Sequence, residues 1–168
     1  NLYTLPDYLK SAGYVTGLYG KWHLGHTTDA PHPGEYGIDE HLTMMSSGPM
    51  LPRTGSNLSA VFGFTNGAVD EALDFLDRHQ SERFYLAVWM VLPHAPLDPT
   101  EEQMAQYAYS VPPQVPDRGT KAVYYTAISE ADRQVGRLLA KLDELGLSDT
   151  TMVAFTSDNG PEDIYIQE

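Results

Sequence analysis

The sequence contains no cysteine. That excludes a disulfide framework, a thiolate metal site and a cysteine nucleophile within these residues, and it leaves the redox compartment unread. No run approaches the ~18 consecutive apolar residues of a membrane-spanning helix, and no basic segment followed by an apolar stretch marks a secretion signal. Cations are scarce: Lys and Arg total 10 against 23 Asp and Glu, for a formal net charge of -13. A field of that sign repels nucleic acid and acidic lipid, so any anionic ligand must be held by a local cationic cluster. The sequence also does not begin with Met, and Asn1-Leu2-Tyr3 reads as an internal position, as does the end shortly after Asp158-Asn159-Gly160-Pro161.

What is present is an ordinary globular composition, 42% hydrophobic over 168 residues, enough for one domain with a core. Leu2, Leu5, Tyr8, Leu9 and Ala12 recur at helical spacing, with Pro6 suited to a first turn and Gly13 to a stop. Residues 14–19 read as a strand, followed by the loop Lys21-Trp22-His23-Leu24-Gly25-His26. Residues 27–65, rich in Gly, Pro, Ser, Thr and Met, show no sustained period and predict a long irregular excursion. Ala68, Val69, Ala72, Leu73, Phe75 and Leu76 mark a helix over 68–79, with acidic residues in its first turn. Residues 84–92 form an apolar, aromatic and β-branched run typical of a strand buried on both faces. A Pro-rich loop runs to Gly119, a long amphipathic helix extends from Ala122 to a stop at Gly146, and 151–156 reads as a last strand. Strands alternating with helices predict an α/β fold, a mostly parallel central sheet with helices on both faces.

In such sheets, ligands bind beyond the carboxyl ends of the strands. Polar clusters are expected there: Lys21 and His23 after the first strand, His94 after the second, and Asp158 and Asn159 after the third. Together they could hold a tetrahedral oxyanion beside a hard metal ion. Each also has an ordinary reading. A lone loop Lys is usually solvated, a His between prolines can cap a strand end, and Asp-Asn-Gly is a common turn. The Gly-Lys step is not a phosphate loop, because Val15 and Trp22 stand where Gly and Ser/Thr are required. His26, His32, His41 and His79 show no ligand spacing.

The segment Gly13-Tyr14-Val15-Thr16-Gly17-Leu18-Tyr19-Gly20-Lys21-Trp22-His23-Leu24-Gly25 resembles the second sulfatase signature over its whole length. Phe155 to Gly160 resembles the family's metal-binding strand end, Pro93-His94-Ala95-Pro96 its substrate-histidine loop, and Gly37-Ile38-Asp39-Glu40 a short motif downstream of the Lys/His loop. The resemblance implies an alkaline-phosphatase-like fold, with residues 1–168 forming part of a sulfatase catalytic domain truncated at both ends. It implies hydrolysis of a sulfate ester by a formylglycine made from Cys or Ser in a Cys-x-Pro-Ser-Arg type of motif. That motif is absent here and is expected upstream. By the same resemblance, Asp158 and Asn159 are ligands of one calcium ion. Lys21 bonds a sulfate oxygen and the nucleophile, His23 orients the second hydroxyl of the formylglycine hydrate, and His94 contacts the sulfate and assists the leaving oxygen. The partner is a small-molecule or carbohydrate sulfate ester, and the family suggests a periplasmic, extracellular or lysosomal location. A phosphodiesterase or phosphonate monoester hydrolase of the same superfamily, or a carbohydrate-binding relative without catalysis, remains the alternative. Residues 43–65, with Arg53, are a candidate specificity wall, and Asn57-Leu58-Ser59 is a glycosylation triplet.

Overall fold

The computed structural model describes residues 3–25, 30–44, 60–97, 99–107 and 118–160. Helix α1 (Leu5–Ser11) starts in a capping box in which the Thr4 hydroxyl accepts from the Asp7 amide and the Asp7 carboxylate accepts from the Thr4 amide. Strand β1 (Val15–Lys21) follows directly, as its β-branched and aromatic content predicts. A single 3-10 turn at Pro33–Tyr36, capped by His32, leads through Gly37 into strand β2 (Glu40–Met44). Gly37 is held at φ 80, where a Cβ would lie 2.5 Å from the Asp7 amide nitrogen. No larger residue fits where this turn meets α1.

The remaining elements are α2 (Ala60–His79), β3 (Phe84–Trp89), α3 (Glu101–Ala105) and α4 (Arg118–Glu144). The three strands form one parallel sheet in the order β2-β1-β3. Gly17 pairs with Glu40 and Leu86, and Gly20 with Thr43 and Trp89, so β1 is the central strand and all three carboxyl ends lie at one edge.

Helix α2 covers one face of the sheet. Phe75, Ala68 and Ala72, all fully buried, pack against Tyr19, and the Phe75 ring edge lies where a side chain at Gly17 would otherwise project, 2.8 Å from an ideal Cβ. Burying a phenylalanine of this kind contributes about 1.5–3 kcal/mol in transfer free energy alone. Helix α4 stacks on α2, joined by Arg137 to Asp70 at 2.6 Å and Lys141 to Asp77 at 2.7 Å. Between the two helices the fully buried Gln134 donates to Asn66 Oδ1 and Glu130 Oε1, both at 2.7 Å, and accepts from Arg137 at 2.8 Å. The opposite face of the sheet holds Leu18, Trp22, Ile38 and Ala87, with Tyr36 and Tyr85 packed around them.

Four expectations are revised. Residues 27–65 are not irregular throughout, since they contain β2 and the first turns of α2. Its residues Glu40, His41, Leu42, Thr43 and Met44 carry too few apolar groups to announce a strand, and pairing with β1 supplies what local propensity does not. Helix α2 begins at Ala60 rather than near 68, because Gly63, Thr65, Asn66 and Gly67 are weak helix formers whose cost tertiary packing overrides. Asp70 and Glu71 are thereby mid-helix, and Asp70 serves α4 instead of a helix dipole. A short helix, α3, interrupts the Pro-rich loop, started by the Thr100 capping box with Gln103. Residues 151–156 form no strand of the sheet, and Met152 and Phe155 are 92% and 78% exposed. An apolar run favours extended backbone, but a strand also needs a partner edge, which its own residues cannot provide. Residues 45–59, with Arg53 and the glycosylation triplet, and His26 lie outside the described residues.

Candidate functional site

The sheet edge at the carboxyl ends of β1 and β3 is built around Gly20. This residue sits at φ 116, and an ideal Cβ there would overlap the carbonyl oxygen of Trp89, well inside the 3.0 Å that real Cβ contacts respect. The absence of a side chain lets the last turn of β1 close on the end of β3. Trp22 then turns inward to 2% exposure and stacks on Trp89 at 5.7 Å between centroids, with Tyr36 edge-on at 5.2 Å. Its amide donates to Met44 O at 2.9 Å, which ties the segment to the end of β2. Its indole nitrogen is buried without a hydrogen-bond partner among the described residues.

Lys21 is the last residue of β1 and His23 lies exposed two residues on. Lys10, Arg78, Arg133, Arg137 and Lys141 each bond a carboxylate, whereas Lys21, like Arg83 and Lys121, has no such partner among the described residues. In a chain of net charge -13 an ammonium without a carboxylate can attract an anion locally. His94 follows β3 in a tight turn, its amide donating to Val91 O at 2.8 Å and its Nδ1 lying 2.6 Å from Ala95 O. If that nitrogen carries the proton, Nε2 is the ring position that holds the lone pair. Because β1 and β3 are neighbouring parallel strands, Lys21, His23 and His94 all leave the sheet at the same edge.

Asp158 and Asn159 are not brought to that edge by a paired strand. They occupy a bend after the exposed residues 151–156, with Ser157 Oγ donating to Asn159 O at 2.5 Å and Asn159 Nδ2 to Gly160 O at 2.7 Å. These bonds leave a carboxylate and an amide oxygen, hard donors of the kind calcium takes. They fit the ion in kind but are too few for its six to eight oxygens, and no group of three or more His, Cys, Asp or Glu that could hold a metal occurs among the described residues.

The motif Gly37-Ile38-Asp39-Glu40 has a structural role that its sequence did not disclose. The Asp39 carboxylate accepts from the Thr16 amide at 3.1 Å and hydroxyl at 3.0 Å and pairs with Lys10. Burial raises its pKa, but the bonds from Lys10 and Thr16 outweigh that and hold it below the ordinary carboxylate value. His41 is pushed down, first by burial and then by the neighbouring His32, whose ring centroid lies 5.7 Å away.

The sulfatase family model matches residues 1–164. The chain is 32% identical to canine N-acetylgalactosamine-6-sulfatase over 94% of its length and 31% identical to the human enzyme of that name over 93%. It is 28% identical to an arylsulfatase of Hemicentrotus pulcherrimus over 98% of its length. It spans about a third of the length of these relatives, covering 33%, 32% and 33% of them respectively. Among solved structures, a sulfatase from a study of glycosaminoglycan metabolism in Bacteroides thetaiotaomicron matches with a TM-score of 0.73 at 21% identity, over 95% of this chain and 45% of that one. The lipoteichoic acid synthase LtaP of Listeria monocytogenes matches at 0.54 and 16%, over 87% of this chain and 34% of that one. Both share the fold. The signature around Lys21, the loop around His94 and the family match along nearly all of the sequence lead to one conclusion: the chain belongs to the sulfatase family.

Proposed function

We propose that the protein carrying this chain hydrolyses sulfate esters, and that Lys21, His23 and His94 are the anion-binding part of its active site. The observation that carries the reading is the departure of all three from one edge of a parallel sheet, with Lys21 left without a carboxylate partner among the described residues. Membership in the family implies a metal and a formylglycine in general. The formylglycine would supply a covalent nucleophile, and Asp158 and Asn159 would hold in part a calcium ion that supplies fixed positive charge. Lys21 would bind a sulfate oxygen and offset the charge that builds during attack. His23 would orient the second hydroxyl of the formylglycine hydrate, the one that does not attack, and take its proton when sulfate departs, while His94 would hold the sulfate and give a proton to the leaving oxygen. The chain alone is inactive on this reading, since it holds no nucleophile precursor and only two oxygen ligands. The substrate is a small-molecule or carbohydrate sulfate ester, and the location is periplasmic, extracellular or lysosomal.

The test uses the full-length protein on paired aryl sulfate and aryl phosphate esters, with Lys21→Ala and His94→Ala. Removing one donor to a developing oxyanion costs about 10²–10³ in kcat. Sulfate turnover reduced to that extent in each variant supports the assignment. Turnover unchanged in Lys21→Ala refutes it, faster phosphate than sulfate hydrolysis favours the phosphoester alternative, and saccharide binding without turnover favours a lectin-like role. Metal-dependent turnover by residues 1–168 alone would overturn the claim that the site is incomplete.

A further inference from the structure

His79, the last residue of α2, lies between two carboxylates. Its Nδ1 is 2.8 Å from Glu82 Oε1, in the turn before β3, and its Nε2 is 2.7 Å from Glu40 Oε1, the first residue of β2. The ring is 14% exposed and packs on the fully buried Phe75 at 4.5 Å between centroids. The second Glu40 oxygen accepts from Arg78 at 2.5 Å and from the Tyr19 hydroxyl at 3.4 Å. A neutral imidazole has one N–H and one lone pair, so it can donate to only one of these carboxylates and would turn a lone pair on the other. Only the imidazolium satisfies both.

We propose that His79 is a proton-operated clasp that ties the start of β2 to the turn entering β3 while protonated, and loosens the start of β2 when the proton leaves, Arg78 still holding Glu40. β2 is an edge strand of the described sheet, and its far end, Met44, accepts the Trp22 amide between Lys21 and His23. The clasp therefore acts on the strand that braces the Lys21 segment. The groups facing the ring are Glu40 from β2, Glu82 from the turn, and Arg78 on its own helix. Beyond Glu40 lies Tyr19 of β1, whose hydroxyl is pushed up to about 12, by burial first and Glu40 second, and so stays protonated throughout. Burial opposes a charge on His79, but the bonds to Glu82 and Glu40 outweigh it and raise its pKa. For a group raised on folding, the stabilisation is complete below the unfolded value of about 6.5 and is lost as pH climbs through the folded one.

The test is hydrogen exchange read by mass spectrometry on the full-length protein. Exchange of the imidazole Cε1 hydrogen should titrate with a midpoint above about 6.5. Across that midpoint, amides of residues 40–44, corrected for intrinsic rate, should exchange about fivefold faster, as expected for loss of one partly exposed ion pair. His79→Gln should abolish the step. Glu82→Gln, which keeps the Glu40 contact, should move the midpoint down. A midpoint at or below the ordinary value, no step at 40–44, or a step that survives in His79→Gln overturns the proposal. Should His79→Gln fail to fold, an unmoved midpoint in Glu82→Gln overturns it equally.

Discussion

Gly20→Ala isolates the device on which the sheet edge depends. The backbone at this residue is at φ 116, a region that costs an L side chain about 1–3 kcal/mol. The added methyl would also meet the Trp89 carbonyl oxygen, a backbone atom fixed by the β1–β3 ladder rather than a side chain able to rotate away. Overpacking a site that cannot yield costs a further ~1–3 kcal/mol. The combined loss, about 2–6 kcal/mol, is a large part of the 5–15 kcal/mol typical of a folded protein. The control is Gly146→Ala, where φ is 68 and nothing lies within 4 Å of the ideal Cβ, so only the conformational cost of about 1–2 kcal/mol remains. Urea unfolding of both variants in the full-length protein, compared through the midpoint at unchanged m-value, measures the difference. If Gly20→Ala is no more destabilising than Gly146→Ala, the close approach of Trp89 does not constrain this position and the account of the edge fails.

Phe75→Ala should destabilise by about 3–5 kcal/mol in the same unfolding assay, because it empties the contact between α2 and the sheet. Gln134→Ala should cost about 1–3 kcal/mol, since it leaves Asn66 Oδ1 without this donor and Glu130 Oε1 with Arg133 alone; a loss below about 0.5 kcal/mol would show that water replaces it. Acid should weaken the fold through Asp39 and Glu40. Burial raises both pKa values but is outweighed, by Lys10 and Thr16 for Asp39 and by Arg78 and His79 for Glu40, so both are lowered on folding. Their stabilisation is present above the ordinary carboxylate value of about 4 and is lost as pH falls through the depressed folded values. Asp39→Asn should therefore flatten the fall in stability below about pH 4, and an unchanged slope would exclude Asp39 from the acid limb.

The parts legible in the sequence were those whose signal is local. Pro6 and Gly13 frame α1, the periodicity from Ala122 onward finds α4, and the apolar run from Phe84 finds β3. Lys21 and His94 were legible as edge residues because each follows such a run. What was not legible depends on partners distant in sequence. Glu40–Met44 becomes a strand only beside β1, and residues 151–156 carry a strand's composition without a strand's neighbour. The roles of Asp39 and Glu40 were hidden for the same reason: Thr16, Lys10, Arg78 and His79 meet them only in the folded chain.

The two outer strands of the described sheet differ in what they offer to another molecule. β2 begins with Glu40, held by Arg78 and His79, and charge at a strand edge discourages further strand addition. β3 reads Phe84-Tyr85-Leu86-Ala87-Val88-Trp89, with no charge and no proline along it. Copies of the 168-residue chain that polymerise should therefore grow by adding to β3. A single lysine substituted within Phe84–Trp89 should slow that growth more than any change in β2.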